Sequence, residues 1–372
     1  MLSRGFGSEE SKTAFTRARE LATQTDADER FDTYYGLWIG RFLRGELQSA
    51  REIAEAFLHE AKNSGRITEA AVAHRNIGLT CLVQGDSAQA RANLEQVLRI
   101  HDPERDRDVK FRFASDNAAS ATIYLGLLEW QLGNLGRGRE LVEQAVKLAV
   151  ESNHPPTLAN AYGYTITFEI LRDNAANAQR AAEAIIKTGR EYGTALYVAL
   201  GALADAWARA RLGDRETGIA ELRQALATYS AQGNKLVVPL YGGLLAELEA
   251  KGPGVEGALI RLDQALALAG ETGERWSDAL LHRIRGQILR KRDPANTAPA
   301  EAAYLTAIDI AQQQGVKSFE LRAALDLARL WRDQGKPQQA RELLAPVYGW
   351  FTEGFDTRDL KEAKALLDEL GS

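Results

Sequence analysis

A glycine-centred turn returns along this chain at a period of about 40 residues. "LVQGDSAQARANLEQVLRI", Leu82 to Ile100, is echoed by "RLGDRETGIAELRQALATY", Arg211 to Tyr229. The same register passes through Gly45, Gly85, Gly133, Asp173, Gly213, Pro253 and Gly335, with a further unit after a longer loop before "APAEAAYLTAI". That makes eight units. The interval from 85 to 133 is longer because "HDPERDRDVKFRFASD" intervenes. Each unit has room for two helices of about 16 residues, roughly 24 Å each, so a chain of such units stacks into an array in which each unit buries its apolar face on the next.

Inside a unit the apolar and small residues recur at helical spacing, as in Ala90, Leu94, Val97 and Leu98, or Gly218, Leu222, Ala225 and Leu226. A small residue at the first of these positions lets two helices approach closely. Asp86 followed by Gln89 suits the start of a second helix, and Pro337 suits a first turn, where its missing N–H costs nothing. The recurring spacing therefore predicts a helix-to-helix corner at each turn.

These residues resemble the sparse signature of tetratricopeptide repeats. "IGLTC" precedes one turn and "LGLLEW" the next, while Trp38, Ile166, Ala206 and Ala328 replace the first-helix glycine elsewhere. The expected fold is all-α: a right-handed superhelical solenoid of about eight repeats forming a single domain over residues 1–372. Residues 1–25 read as an N-terminal half-repeat or cap, 30–356 as the repeats, and 357–372 as a C-terminal cap helix whose polar outer face keeps the end of the stack soluble.

The chain also resembles the tetratricopeptide-repeat region at the C-terminal end of bacterial regulators that carry a class III adenylate/guanylate cyclase domain, an AAA-type or STAND-type ATPase domain, or both. Three stretches carry the likeness: Gly5 to Ala22, Tyr35 to Ala50, and Ser318 to Leu367, "SFELRAALDLARLWRDQGKPQQARELLAPVYGWFTEGFDTRDLKEAKALL". The resemblance implies a sensing and protein-interaction role in signal transduction, coupled to an enzymatic output in attached domains.

The sequence offers few groups arranged for chemistry. No phosphate-binding G-x-x-x-x-G-K-[ST] occurs, since Gly335-Lys336 runs into Pro337, and none of the five histidines stands in an H-E-x-x-H pair. The lone Cys81 cannot form an internal disulfide and reads as core. No cofactor, metal or catalytic residue is expected, and the chain is expected not to be an enzyme. A net charge of −5 and a pI near 5.7 argue against nucleic acid as a partner. No run of about 18 apolar residues appears and the start lacks a signal peptide's apolar stretch, so a cytoplasmic protein away from membranes is expected.

Function then falls to the positions that differ between copies. In tetratricopeptide repeats the first helix of each unit lines the concave groove. Counting back from each turn places Tyr35, Arg75, Trp130, Tyr164 and Trp207 there in the earlier units, and Arg283, Gln287, Arg290, Lys291, Arg322, Arg329 and Arg332 in the last two, with Asp326 and Asp333 among them. An aromatic half and a basic half would capture a protein or an acidic peptide segment, because Tyr, Trp and Arg dominate binding energy and Arg holds carboxylates bidentately. The competing expectation is that the tryptophans pack between repeats and the arginines pair with acids of the next unit.

Overall fold

The computed structural model describes residue 13, residues 27–252 and residues 254–371. The half-repeat expected over 1–25 and the Gly5–Ala22 stretch, apart from Thr13, lie outside the described residues, as does Pro253.

The corners explain the fold. At the third-to-fourth helix corner the Gly85 N–H donates to the Leu82 carbonyl and the Asp86 N–H to the Cys81 carbonyl. This is the Schellman arrangement, which needs a left-handed residue just past the helix. The same pair of bonds recurs at Gly133 and Asn134, at Asp173 and Asn174, and at Gly335 and Lys336. Gly85 has φ +78°, and Asp173 adopts φ +57° without being glycine. A short polar side chain tolerates that region, which is why the glycine register survives an aspartate. The residue after each corner then starts the next helix: the Asp86 carboxylate accepts from the Gln89 N–H at 3.2 Å, and Asn174 caps the Asn177 N–H in the same way.

Eighteen helices result among the described residues. They pair as α1 (Ala27–Leu43) with α2 (Leu47–Asn63), α3 (Ile67–Val83) with α4 (Ser87–Ile100), and, after the short α5 (Val109–Arg112), α6 (Asn117–Gln131) with α7 (Leu135–Glu151). Next come α8 (Pro155–Leu171) with α9 (Ala175–Glu191), α10 (Ala195–Leu212) with α11 (Arg215–Ala231), and α12 (Val238–Ala250) with α13 (Val255–Thr272). The last pairs are α14 (Asp278–Arg292) with α15 (Ala298–Gln314), and α16 (Lys317–Asp333) with α17 (Pro337–Gly349); α18 (Arg358–Leu370) closes the stack. Small residues set the pairing distance. A Cβ on Gly78 of α3 would sit 2.7 Å from Leu94 of α4, and one on Gly126 of α6 would sit 3.0 Å from the Val142 nitrogen of α7.

The solenoid winds back on itself. The Leu43 carbonyl at the end of α1 accepts from the Lys235 and Leu236 N–H groups at 2.9 and 3.3 Å, and the Val83 carbonyl at the end of α3 accepts from Arg275 and Trp276 at 3.0 and 3.2 Å. Further along, Ser318 donates to the Trp130 carbonyl across 188 residues, and Arg358 pairs with Asp173 across 185. One superhelical turn therefore takes between four and five repeats, and the second turn seats on the corners of the first. This seam buries α3, α6 and α16 on nearly every side, whereas the second helices keep one solvent face.

Candidate functional site

Two cavities lie on the inner side of the first helices. The first is built by α1, α3, α6, α8 and α10 and is closed by second-turn residues Leu236, Val237 and Trp276. It encloses about 170 Å³. Tyr35, Arg75 and Tyr164 all line it. The Tyr124 and Tyr164 rings meet edge to face at 4.6 Å, and Tyr35 stands 5.7 Å from Trp38, whose indole N–H is held by the Thr80 hydroxyl at 3.0 Å. Burial pushes the Tyr35 phenol up to about 12.

Arg75 is positioned by the segment that interrupts the repeat period. Its guanidinium donates to the Ser115 carbonyl at 2.8 Å and the Phe113 carbonyl at 3.1 Å, and lies 5.7 Å from the Tyr35 ring. Phe113 itself is fully buried against Tyr35 and Phe57, which anchors the inserted loop. The loop is further tied by Asp106, fully buried and bonded to Arg105, Thr68 and the Asp102 N–H.

The second cavity, about 240 Å³, gathers Trp207, Arg283, Gln287, Arg322 and Arg329. Its charged lining is Arg211, Lys251, Arg283, Arg322, Arg329 and Arg358 against Asp173, Glu247, Asp326, Asp359 and Glu362. Six bases against five acids leave this half close to neutral. Arg283 and Gln287 both donate to Asp326, at 3.1 and 2.7 Å; Arg322 donates to Asp359 at 2.7 Å; Arg329 donates to Glu362 at 2.8 Å. The acids come from the next first helix, α16 or α18, so the arginines stitch successive repeats together.

Four of the anticipated groove residues line neither cavity. Trp130 is buried between Phe319, 6.0 Å away, and the Arg322 guanidinium at 5.2 Å. Arg290 pairs with Asp333, Arg332 with Asp333 and Glu369 at 2.9 and 3.0 Å, and Lys291 donates to the Ala250 and Gly252 carbonyls at 2.6 and 3.2 Å. Counting from the turns misses Trp38, Tyr229, Leu236 and Trp276. Tyr229 belongs to a second helix, and Leu236 and Trp276 are delivered by the seam, from a distance in sequence that no local pattern reports.

Outside the cavities, burial raises the Cys81 thiol to about 11, which keeps it protonated and unreactive. Among the described residues no group of three or more histidines, cysteines or carboxylates is placed to hold a metal ion, and no helix is long and apolar enough to cross a membrane.

No protein-family model matches the chain, and no curated protein matches it in sequence. Solved structures do. A Rap protein complexed with Competence and Sporulation Factor is 13% identical with a TM-score of 0.61, over 99% of this chain and 96% of that one. Aspartyl phosphate phosphatase F from Bacillus subtilis is 13% identical with a TM-score of 0.48, over 93% and 90%. A human IFIT1 dimer with m7Gppp-AAAA is 14% identical with a TM-score of 0.43, over 97% and 94%. The first of these likenesses shows the class: an all-α, tetratricopeptide-like helical-repeat solenoid.

Proposed function

We propose that this chain is a non-enzymatic, cytoplasmic interaction and sensor scaffold, a single domain that receives a peptide segment or partner protein on the inner face of its superhelix. The observation that carries the reading is the pairing of an apolar, aromatic cavity with a polar one along the same row of first helices. The Rap protein of like fold was solved complexed with Competence and Sporulation Factor, which supports a ligand-binding role for this fold. Because the polar half is nearly neutral, an acidic segment binds there only by taking Arg283 or Arg329 from Asp326 and Glu362. Exchange of one carboxylate for another makes such binding salt-sensitive and reversible.

The test is capture of partners from a bacterial lysate on the 372-residue chain at low and moderate salt, read by mass spectrometry and repeated with Arg329→Glu. A partner lost both with salt and in the variant is the expected result. A partner held equally by both chains overturns the electrostatic half of the reading.

The seam favours a second reading, in which the chain is the regulatory region of a class III nucleotide cyclase or a STAND-type ATPase. The seam joins distant parts of the chain, so a ligand that binds across it with different affinity for different packings of the two turns would shift the balance felt by an attached domain. The likeness of Ser318 to Leu367 to the repeat region of such regulators supports this coupling.

A further inference from the structure

Arg75 is only 3% exposed, yet no carboxylate pairs with it among the described residues. A buried charge without a counter-charge forfeits several kcal/mol of hydration, so buried cations are normally ion-paired. The other inward arginines obey that rule: Arg283, Arg322 and Arg329 each hold an acid. Arg75 has two carbonyls instead, which occupy part of the five-donor fork and leave its charge uncompensated.

The cavity that Arg75 lines has further unused polar capacity. The hydroxyls of Tyr35, Tyr164 and Tyr229 have no hydrogen-bond partner among the described residues, and that of Tyr197 reaches only the Pro156 carbonyl at 3.5 Å. The buried acid behind the wall, Glu274, spends its oxygens on the Val237 N–H and the Trp276 indole. The other polar lining groups are engaged within the wall, Tyr124 donating to Asn160 at 3.1 Å, Thr167 to the Gly163 carbonyl at 3.3 Å, and Ser115 bonded to Ser120 at 2.6 Å; the remainder is hydrocarbon or aromatic, with Trp38, Phe42, Leu79 and Leu236 foremost. Its volume of about 170 Å³ is close to the roughly 150 Å³ of cavities that accept benzene. That is room for one ring with a short chain, or a short aliphatic chain.

We propose that this cavity binds a small apolar carboxylic acid, its carboxylate on Arg75 beside Tyr35, its hydrocarbon against Trp38, Phe42 and Leu236. The apolar part gains from leaving water, and the carboxylate supplies the charge that Arg75 lacks. The ligand touches Leu236 and Trp276, which belong to the seam, so its occupancy holds the two superhelical turns together. The same chemistry is offered by a free acid and by the end of a peptide with an apolar last residue; the size of the space favours the free acid.

This inference deepens the sensor part of the function proposed above and rests on it. The test is titration calorimetry on the full chain with 3-phenylpropionate, octanoate, 3-phenylpropionamide, and N-acetyl-Ala-Phe as free acid and as amide. Saturable binding of 3-phenylpropionate is expected, about tenfold or more tighter than its amide, as a charge-assisted contact requires. Arg75→Gln should bring the acid down to the level of the amide. Gly163→Leu puts a side chain on the cavity wall, where a Cβ has ordinary contact with Ile185 at 3.6 Å, and should abolish binding of both with helix content unchanged. Equal affinity for acid and amide, or no saturable binding of either free acid, overturns the proposal; both are read on the unmodified chain, whatever the fate of the Arg75 variant. If the dipeptide acid alone binds, the source is a chain end and the free-acid assignment falls. Loss of calorimetric binding with Arg329-dependent partner capture intact strikes the ligand and spares the scaffold. The converse strikes the scaffold alone.

Discussion

Glu274 shows what burial does to a single side chain here. It has no exposed surface and receives two hydrogen bonds, at 3.0 Å from the Val237 N–H and 2.9 Å from the Trp276 indole. Lost hydration outweighs those bonds and raises the carboxyl from 4.5 to about 7. The folded state thus keeps a proton that the unfolded chain releases, so this contribution to stability is intact below about 4.5 and is lost as pH rises through about 7. In urea unfolding, the wild-type chain should fall relative to Glu274→Gln by roughly 3 kcal/mol between pH 4.5 and pH 8. A difference that stays flat with pH would show that the carboxyl is hydrated or ionised throughout.

Pairs of helices are governed by their smallest residues. On Gly218 of α11 a Cβ would stand 2.5 Å from the Ala210 nitrogen and 2.7 Å from the Ala206 carbonyl oxygen, both backbone atoms of α10 that cannot rotate away. Gly218→Ala should therefore cost about 1–3 kcal/mol by forcing the hairpin apart. Gly257 of α13 faces open space, and Gly257→Ala should instead stabilise by about 1 kcal/mol through helix propensity alone. Thermal unfolding of the two variants reads both effects, and shifts of equal sign would refute the close-packing argument. Much of this scale was legible beforehand. The corner at Gly85, the Asp86 cap and the first-turn Pro337 stand where the spacing places them. Each depends on residues within a few positions of one another.

The whole molecule adds the seam. A 372-residue chain closed in this way should have a radius of gyration of about 21 Å by small-angle X-ray scattering, the value for a compact fold of that length. Leu236→Asp would place a charge against the apolar wall it shares with Trp38 and Trp276. It should swell the particle by roughly a tenth or more while helix content persists, since the repeats keep their nearest-neighbour contacts. An unchanged radius in that variant would mean that the turns cohere without this contact.

The period, the corners and the helix faces follow from residues close in the chain, so the sequence alone determined the repeat and its all-helical character. Of the groove residues expected from the turns, Tyr35, Arg75, Tyr164, Trp207, Arg283, Gln287, Arg322 and Arg329 line a cavity, whereas Trp130, Arg290, Lys291 and Arg332 do not. What those faces meet was decided by tertiary structure. The superhelix brings residues some 185 to 190 positions apart into contact. Only then do the aromatic residues of the first helices share one cavity with Leu236 and Trp276, do the arginines find Asp326, Asp359 and Glu362 in the following repeats, and does Arg75 stand inward with no carboxylate paired to it among the described residues. The pitch that aligns the two turns accumulates from small rotations over several repeats, and no single stretch of sequence encodes that sum.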